Sequence, residues 1–216
     1  MPTRKMKLVE GEIYHVFNRG IGGFNIFNDV KEYTRMKEEF SFYKAGKVLS
    51  KFSMKDEDSQ PQLRIGPSSG EIVKILAYCL MPTHLHLILR QQENNGISIF
   101  VNLILKSYSR YFSEKYKRKG PLWEGRFKNI LVKTDEQLLH LTRYIHLNPV
   151  SSCQVNLPSE WPFSSYREYL GLLREQERIC AFSDYLDIEK NSYRQFVESR
   201  IDYQRQLEVL KHLLLE

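Results

Sequence analysis

The sequence predicts an α+β fold: a four-stranded antiparallel sheet with helices on one face, followed by a helical extension. Three observations carry that expectation. Short β-branched and aromatic runs alternate with segments whose apolar residues recur every three to four positions. Two strongly apolar runs flank the turn Met81-Pro82-Thr83, as a hairpin would. The composition is that of an ordinary globular chain, with 216 residues, 42% hydrophobic and 27% charged, so the apolar material suffices for a real core.

The elements follow in order. Glu12 to Asn18 reads as a strand that ends at Arg19-Gly20, and a glycine-containing loop continues to Asn28. Asp29, with Glu32 three residues on, is an N-cap signal for a helix to about Tyr43, on which Met36, Phe40 and Tyr43 share a spacing. Ile72 to Leu80 and His84 to Arg90 form the hairpin at the centre of the sheet. Ile97 to Tyr116 reads as a helix lined by Ile97, Phe100, Val101, Ile104, Tyr108 and Tyr111, and Gly120-Pro121 breaks it. Arg126 to Lys133 supplies the fourth strand. Thr134 or Asp135 caps a last core helix, which Asn148-Pro149 ends near Leu147. The order strand, helix, strand, strand, helix, strand is the ferredoxin-like split βαβ pattern. Residues 1–150 are therefore read as the core domain. Within it, residues 45–70 form an insertion with a candidate short strand from Val48 to Met54. Residues 151–216 form a helical C-terminal extension, one helix opening at Trp161-Pro-Phe-Ser-Ser-Tyr166 and another running from Asn191 to Leu215.

Several classes are excluded at this level. The longest apolar run, Ile75 to Met81, has seven residues, and a membrane-spanning helix needs about 20. Met1 to Lys7 is charged and leads into no apolar stretch of signal-peptide length. Cys79, Cys153 and Cys180 are widely spaced, which argues against a disulfide framework or a zinc ribbon. The expectation is a cytoplasmic protein. Charge says more. Thirty-two basic and 26 acidic residues give +6, yet Val101 to Lys133 alone holds nine basic and two acidic residues. Such a segment on a near-neutral body points to a phosphate-backbone partner, or else to a solvated helix face. The candidate cations are Lys106, Arg110, Lys115, Lys117, Arg118, Lys119, Arg126 and Lys128. The interleaved aromatics Tyr108, Tyr111 and Phe112 belong to the core more readily than to base stacking, whereas Trp123 remains open to either.

His84-Leu85-His86 is the sharpest local feature. Side chains alternate along a strand, so the two imidazoles point the same way and can converge on one ion. Alone, the pair reads more readily as two solvated strand histidines than as a ligand pair. Tyr144 and Asn148 lie four residues apart on the last core helix and share a face, with His140 one turn earlier.

Together these segments resemble a known family. Tyr14-His-Val-Phe-Asn-Arg-Gly20, Phe27-Asn-Asp29, Tyr78-Cys-Leu-Met-Pro-Thr-His-Leu-His-Leu87, Gly120-Pro-Leu-Trp-Glu-Gly-Arg-Phe127, Tyr144-Ile-His-Leu-Asn-Pro-Val150 and Trp161-Pro-Phe-Ser-Ser-Tyr166 stand in one order across residues 12–170. The ordered set resembles the single-tyrosine HUH transposases, and more narrowly their REP-associated (RAYT) branch. That resemblance implies His84 and His86 as metal ligands, Asn148 as the residue completing the metal site, and Tyr144 as nucleophile. It implies Mg²⁺ or Mn²⁺ as cofactor and single-stranded or hairpin DNA as partner, cleaved and rejoined through a 5′-phosphotyrosine. Relatives occur as monomers with the tyrosine in cis and as dimers with it in trans, so the oligomeric state stays open. Two departures stand out: Thr83 replaces an asparagine common in relatives, and residues 45–70 exceed the family's compact core. His140 matches no motif position. The alternatives are a non-catalytic nucleic-acid-binding regulator of ferredoxin-like fold and an HUH relaxase or replication initiator.

Overall fold

The computed structural model describes residues 7–44 and 70–214. The expected insertion, including the candidate strand from Val48 to Met54, lies outside the described residues except for Gly70. Strands β1 (Ile13–Arg19), β2 (Val73–Met81), β3 (His84–Gln91) and β4 (Lys128–Val132) form one sheet in the order β2-β3-β1-β4. Every neighbouring pair is antiparallel. Helix α1 (Val30–Tyr43) follows β1, α2 (Gly96–Lys115) joins β3 to β4, and α3 (Asp135–Ser151) follows β4. This is the split βαβ order that the sequence predicts. The cap signals do their expected work: Asp29 accepts a hydrogen bond from the Glu32 amide, and Thr134 accepts one from the Gln137 amide at 3.1 Å.

Three boundaries differ from expectation. Helix α3 runs through Asn148-Pro149 to Ser151. A proline in the final turn removes only one N–H donor, and the Ser152 amide and hydroxyl both bond the Asn148 carbonyl, at 3.0 and 2.9 Å. The helix expected after Trp161 is the single turn α4 (Tyr166–Tyr169). The expected C-terminal helix is two, α5 (Lys190–Glu198) and α6 (Ile201–Leu214), with Ser199 as the C-cap of the first.

The sheet has two unlike faces. Tyr14, Val16, Leu85, Leu87 and Leu89 point to one, where Met36 and Phe40 of α1 and Phe100, Ile104 and Tyr108 of α2 bury them. Both crossover helices thus share one face, as expected. A bulge between Ile75 and Ala77 then shifts the phase of β2. Tyr78 and Leu80 return to the first core, while Leu76, Ala77, Cys79 and Met81 join Ile88 beneath α3. Helix α3 covers only the β2–β3 half of this second face. On the β4 side Ile130 stays 58% exposed.

The C-terminal extension closes the free edge of β2. Leu80 donates to the Phe163 carbonyl and Ser165 to the Tyr78 carbonyl, both at 2.9 Å, and the Trp161 indole bonds the Leu80 carbonyl. His146 ties α3 to this edge. Its Nδ1 meets the Tyr193 hydroxyl at 2.7 Å and its Nε2 the Ser165 hydroxyl at 2.8 Å. Burial lowers its pKa to about 3, so it is a neutral structural imidazole. Being fixed from both nitrogens, it sets the rotation of α3, and with it where Tyr144 points.

Candidate active site

His84 and His86 lie on the second face of the sheet, next to the edge of α3. Their ring centroids are 5.0 Å apart with planes at 86°. His84 Nδ1 contacts the Thr83 hydroxyl at 3.0 Å, and His86 Nδ1 contacts Nε2 of His15 at 3.0 Å. Each ring therefore keeps Nε2 for another partner. Burial lowers the pKa of His84; a hydrogen bond with the Asn148 side chain opposes the shift and the Arg19 charge adds to it. Burial also holds His86 well below the usual range, reinforced by the neighbouring imidazoles. Neutral imidazoles with lone pairs are what a cation requires of histidine.

Tyr144 approaches from α3. Its ring stands edge-on to His86 at 5.8 Å and to His15 at 6.4 Å between centroids, and it is 41% exposed. Asn148, one turn on, bonds the Tyr144 carbonyl through Nδ2 at 3.0 Å while it engages His84. The residues expected to act together, His84, His86, Tyr144 and Asn148, are thus neighbours within one chain. His140 is not among them. It faces the extension, against Arg143 and Phe196. Two imidazoles and an amide oxygen form a mixed donor set that suits Mg²⁺ or Mn²⁺. Among the described residues no group of three or more His, Cys, Asp and Glu is placed to hold a metal. The expected set needs only two such residues.

Beside the histidines opens a cavity of about 380 Å³, lined by Phe17, Arg19, Glu124, Arg126 and Lys128 among others. Of the eight expected DNA-binding cations, Arg126 and Lys128 reach it. Lys106 and Arg110 are exposed on α2, across the sheet from the histidines. Lys117 and Lys119 are exposed beyond α2. Arg118 is tied to the Pro121 carbonyl at 2.8 Å and lies over the Phe24 ring. Lys115 requires a correction. Its ammonium is held by Asp29 at 2.6 Å and Glu32 at 2.7 Å, so it joins α1 to α2 and is not a free cation. The aromatics Tyr108, Phe112 and Trp123 are buried, as a core role requires.

Sequence reasoning left out two residues. His15 is buried on β1 with its pKa lowered to about 4 by desolvation, and Arg19 pairs with His84 across the β1–β3 ladder. The Arg19 guanidinium forms a two-pronged pair with the Glu124 carboxylate. Both residues stand in the first motif segment. Only the cross-strand register reveals that they face the histidines.

Residues 68–148, which contain His84, His86, Tyr144 and Asn148, match the family model "Transposase IS200 like". That stretch is similar to the IS200-like transposases. A Haemophilus influenzae protein bearing the name REP-associated tyrosine transposase is 28% identical over 102 residues, covering 42% of this chain and 57% of that protein's length. A solved structure of a REP-associated tyrosine transposase bound to a REP hairpin aligns with 88% of this chain and 99% of its own, at 17% identity and a TM-score of 0.54. It shares the fold. The family model and the Haemophilus influenzae protein thus lie in the direction of the motif resemblance. No helix among the described residues is long and apolar enough to cross a membrane.

Proposed function

We propose that this chain cuts and rejoins single-stranded DNA beside hairpins, with Tyr144 as nucleophile. One observation carries the reading: Tyr144 and Asn148 on one helix face meet His84 and His86 on one sheet face, beside a cavity rimmed by Arg19, Arg126 and Lys128. The named relatives, a REP-associated transposase and one bound to a REP hairpin, support DNA hairpins as the partner class. Tyr144 packs against the histidines of its own chain, which favours cleavage in cis.

The residues divide the work. Arg126 and Lys128 hold phosphates without reading sequence, while Arg19 is engaged by Glu124. His84, His86 and Asn148 would hold a divalent cation, which when bound polarises the scissile phosphate and offsets charge developing on it. The Tyr144 hydroxyl loses its proton and bonds to phosphorus, the bond to the 3′ oxygen breaks, and that oxygen takes up a proton. The products are a 5′-phosphotyrosine and a free 3′-OH. One ester replaces another, so a DNA 3′-OH reverses the step and joins strands. A free phenol titrates near about 10, so the step depends on such assistance at neutral pH.

The test is Tyr144→Phe with hairpin oligonucleotides taken from the DNA flanking the gene, in excess Mg²⁺ or Mn²⁺. The wild type must form a covalent adduct on denaturing gels. The variant should bind the same oligonucleotide within about twofold of wild type and form no adduct. An adduct with the phenylalanine variant moves the nucleophile elsewhere. Cleavage without an adduct means hydrolysis by water, and wild-type binding with neither cleavage nor adduct means a regulator.

A further inference from the structure

His15 lies outside residues 68–148 and has no part in the chemistry so far. On β1 it is offset by two residues from Phe17, the cross-strand partner of His86, and on the same face. Its Nε2 is 3.0 Å from His86 Nδ1, the rings are stacked at 23° with centroids 5.2 Å apart, and both are 7% exposed. In such a contact one nitrogen donates and the other accepts, which leaves two arrangements. If His15 donates, His86 carries its own proton on Nε2 and has no lone pair to offer the site. If His86 donates from Nδ1, its Nε2 lone pair is free. Thr83, on the corresponding nitrogen of His84, is a hydroxyl that rotates to donate or accept. His15 is a rigid, buried partner whose lone pair lies in its ring plane.

We propose that His15 is a positioning residue that accepts the Nδ1 proton of His86 and so holds that ring in the tautomer whose Nε2 can ligate a cation. This rests on the reading of His86 as a ligand. It follows that the proton of His15 sits on Nδ1. Histidine ligands usually have their second nitrogen fixed in this way, and losing the partner typically costs about ten- to a hundredfold in metal affinity.

The experiment measures Mn²⁺ affinity of the full chain by the resonance of free Mn²⁺, together with ¹⁵N imidazole spectra of the wild type with Mg²⁺. His86 should carry its proton on Nδ1. His15→Phe keeps a ring of similar shape without an acceptor and should lose roughly tenfold or more in Mn²⁺ affinity. His15→Gln, whose amide oxygen can reach the same N–H, should recover most of it. A His15→Phe variant with wild-type affinity overturns the proposal, as does a His86 proton on Nε2 with Mg²⁺ bound. His86→Ala is the control. If it binds Mn²⁺ as tightly as the wild type, the ligand reading itself has failed and the role of His15 falls with it. Should the phenylalanine variant not fold, the wild-type spectra decide.

Discussion

Lys115 and Lys128 belong to the same basic stretch of sequence, yet their ammonium groups end in opposite settings. Lys115, at the last turn of α2, is drawn into Asp29 and the fully buried Glu32. Glu32 also accepts from the Asn28 amide at 2.6 Å and the Tyr116 hydroxyl at 2.7 Å, so this cluster completes itself. Lys128, on the edge strand, is exposed at the cavity beside the histidines. The first charge holds two helices together. The second faces the place where a phosphate would lie. Clustered charge in sequence reports a total, and only the partners decide whether it stabilises the fold or is left for a ligand.

The larger expected effect within this pair separates the two directly. Lys115→Ala leaves the Glu32 carboxylate buried without its cation, which should cost about 2–3 kcal/mol after allowing for the partial exposure of the lysine. Thermal unfolding should fall by roughly 5–10 °C, with hairpin affinity and its salt slope unchanged. A variant that melts like wild type but binds DNA poorly would reverse the two assignments.

Next in size is the rim. Replacing Arg126 and Lys128 by alanine should weaken hairpin binding by about tenfold or more. The slope of log affinity against log salt should flatten by about one unit for each phosphate that is no longer neutralised. Lys106→Ala with Arg110→Ala, across the sheet, should change both far less. If that pair dominates the slope instead, DNA crosses the α2 face and the cavity is not its path.

This contrast also shows what the sequence conveyed. Element order, the caps at Asp29 and Thr134 and the shared face of His84 and His86 follow from local rules of period and hydrogen bonding, and all are present. The meeting of Tyr144 and Asn148 with the histidines came from the motif resemblance, because nothing local brings α3 to that face. His15 and Arg19 stayed hidden since strand register is a long-range property, set by which faces the whole sheet can bury. The pairing of Lys115 depended on a carboxylate on α1, far away in sequence.

The remaining test concerns a second buried carboxylate on α1, one that lacks what Glu32 has. Glu39 is fully buried, bonded by the Ser107 hydroxyl at 2.9 Å and close to Arg35 through Oε1, but its Oε2 has no hydrogen-bond partner. Burial raises its pKa to about 8, only partly offset by Arg35 and Ser107, with Glu38 adding slightly to the rise. In the unfolded chain a glutamate titrates near about 4.3. The folded state therefore holds the extra proton between those values. Its contribution to stability is complete below the unfolded pKa and is lost as pH rises through about 8. Glu39→Gln places an amide where the protonated acid sits and cannot ionise. Near pH 5 the variant and wild type should melt within a degree or so of each other. From pH 5 to pH 8 the variant should gain on the wild type by about 1.4 kcal/mol for each pH unit, several kcal/mol in all, and level off above that. Paired melting curves from pH 5 to 9 decide the matter. A difference that stays flat across that range would mean that Glu39 is ionised throughout, with Arg35 serving it as Lys115 serves Glu32. The two buried carboxylates of α1 would then be alike.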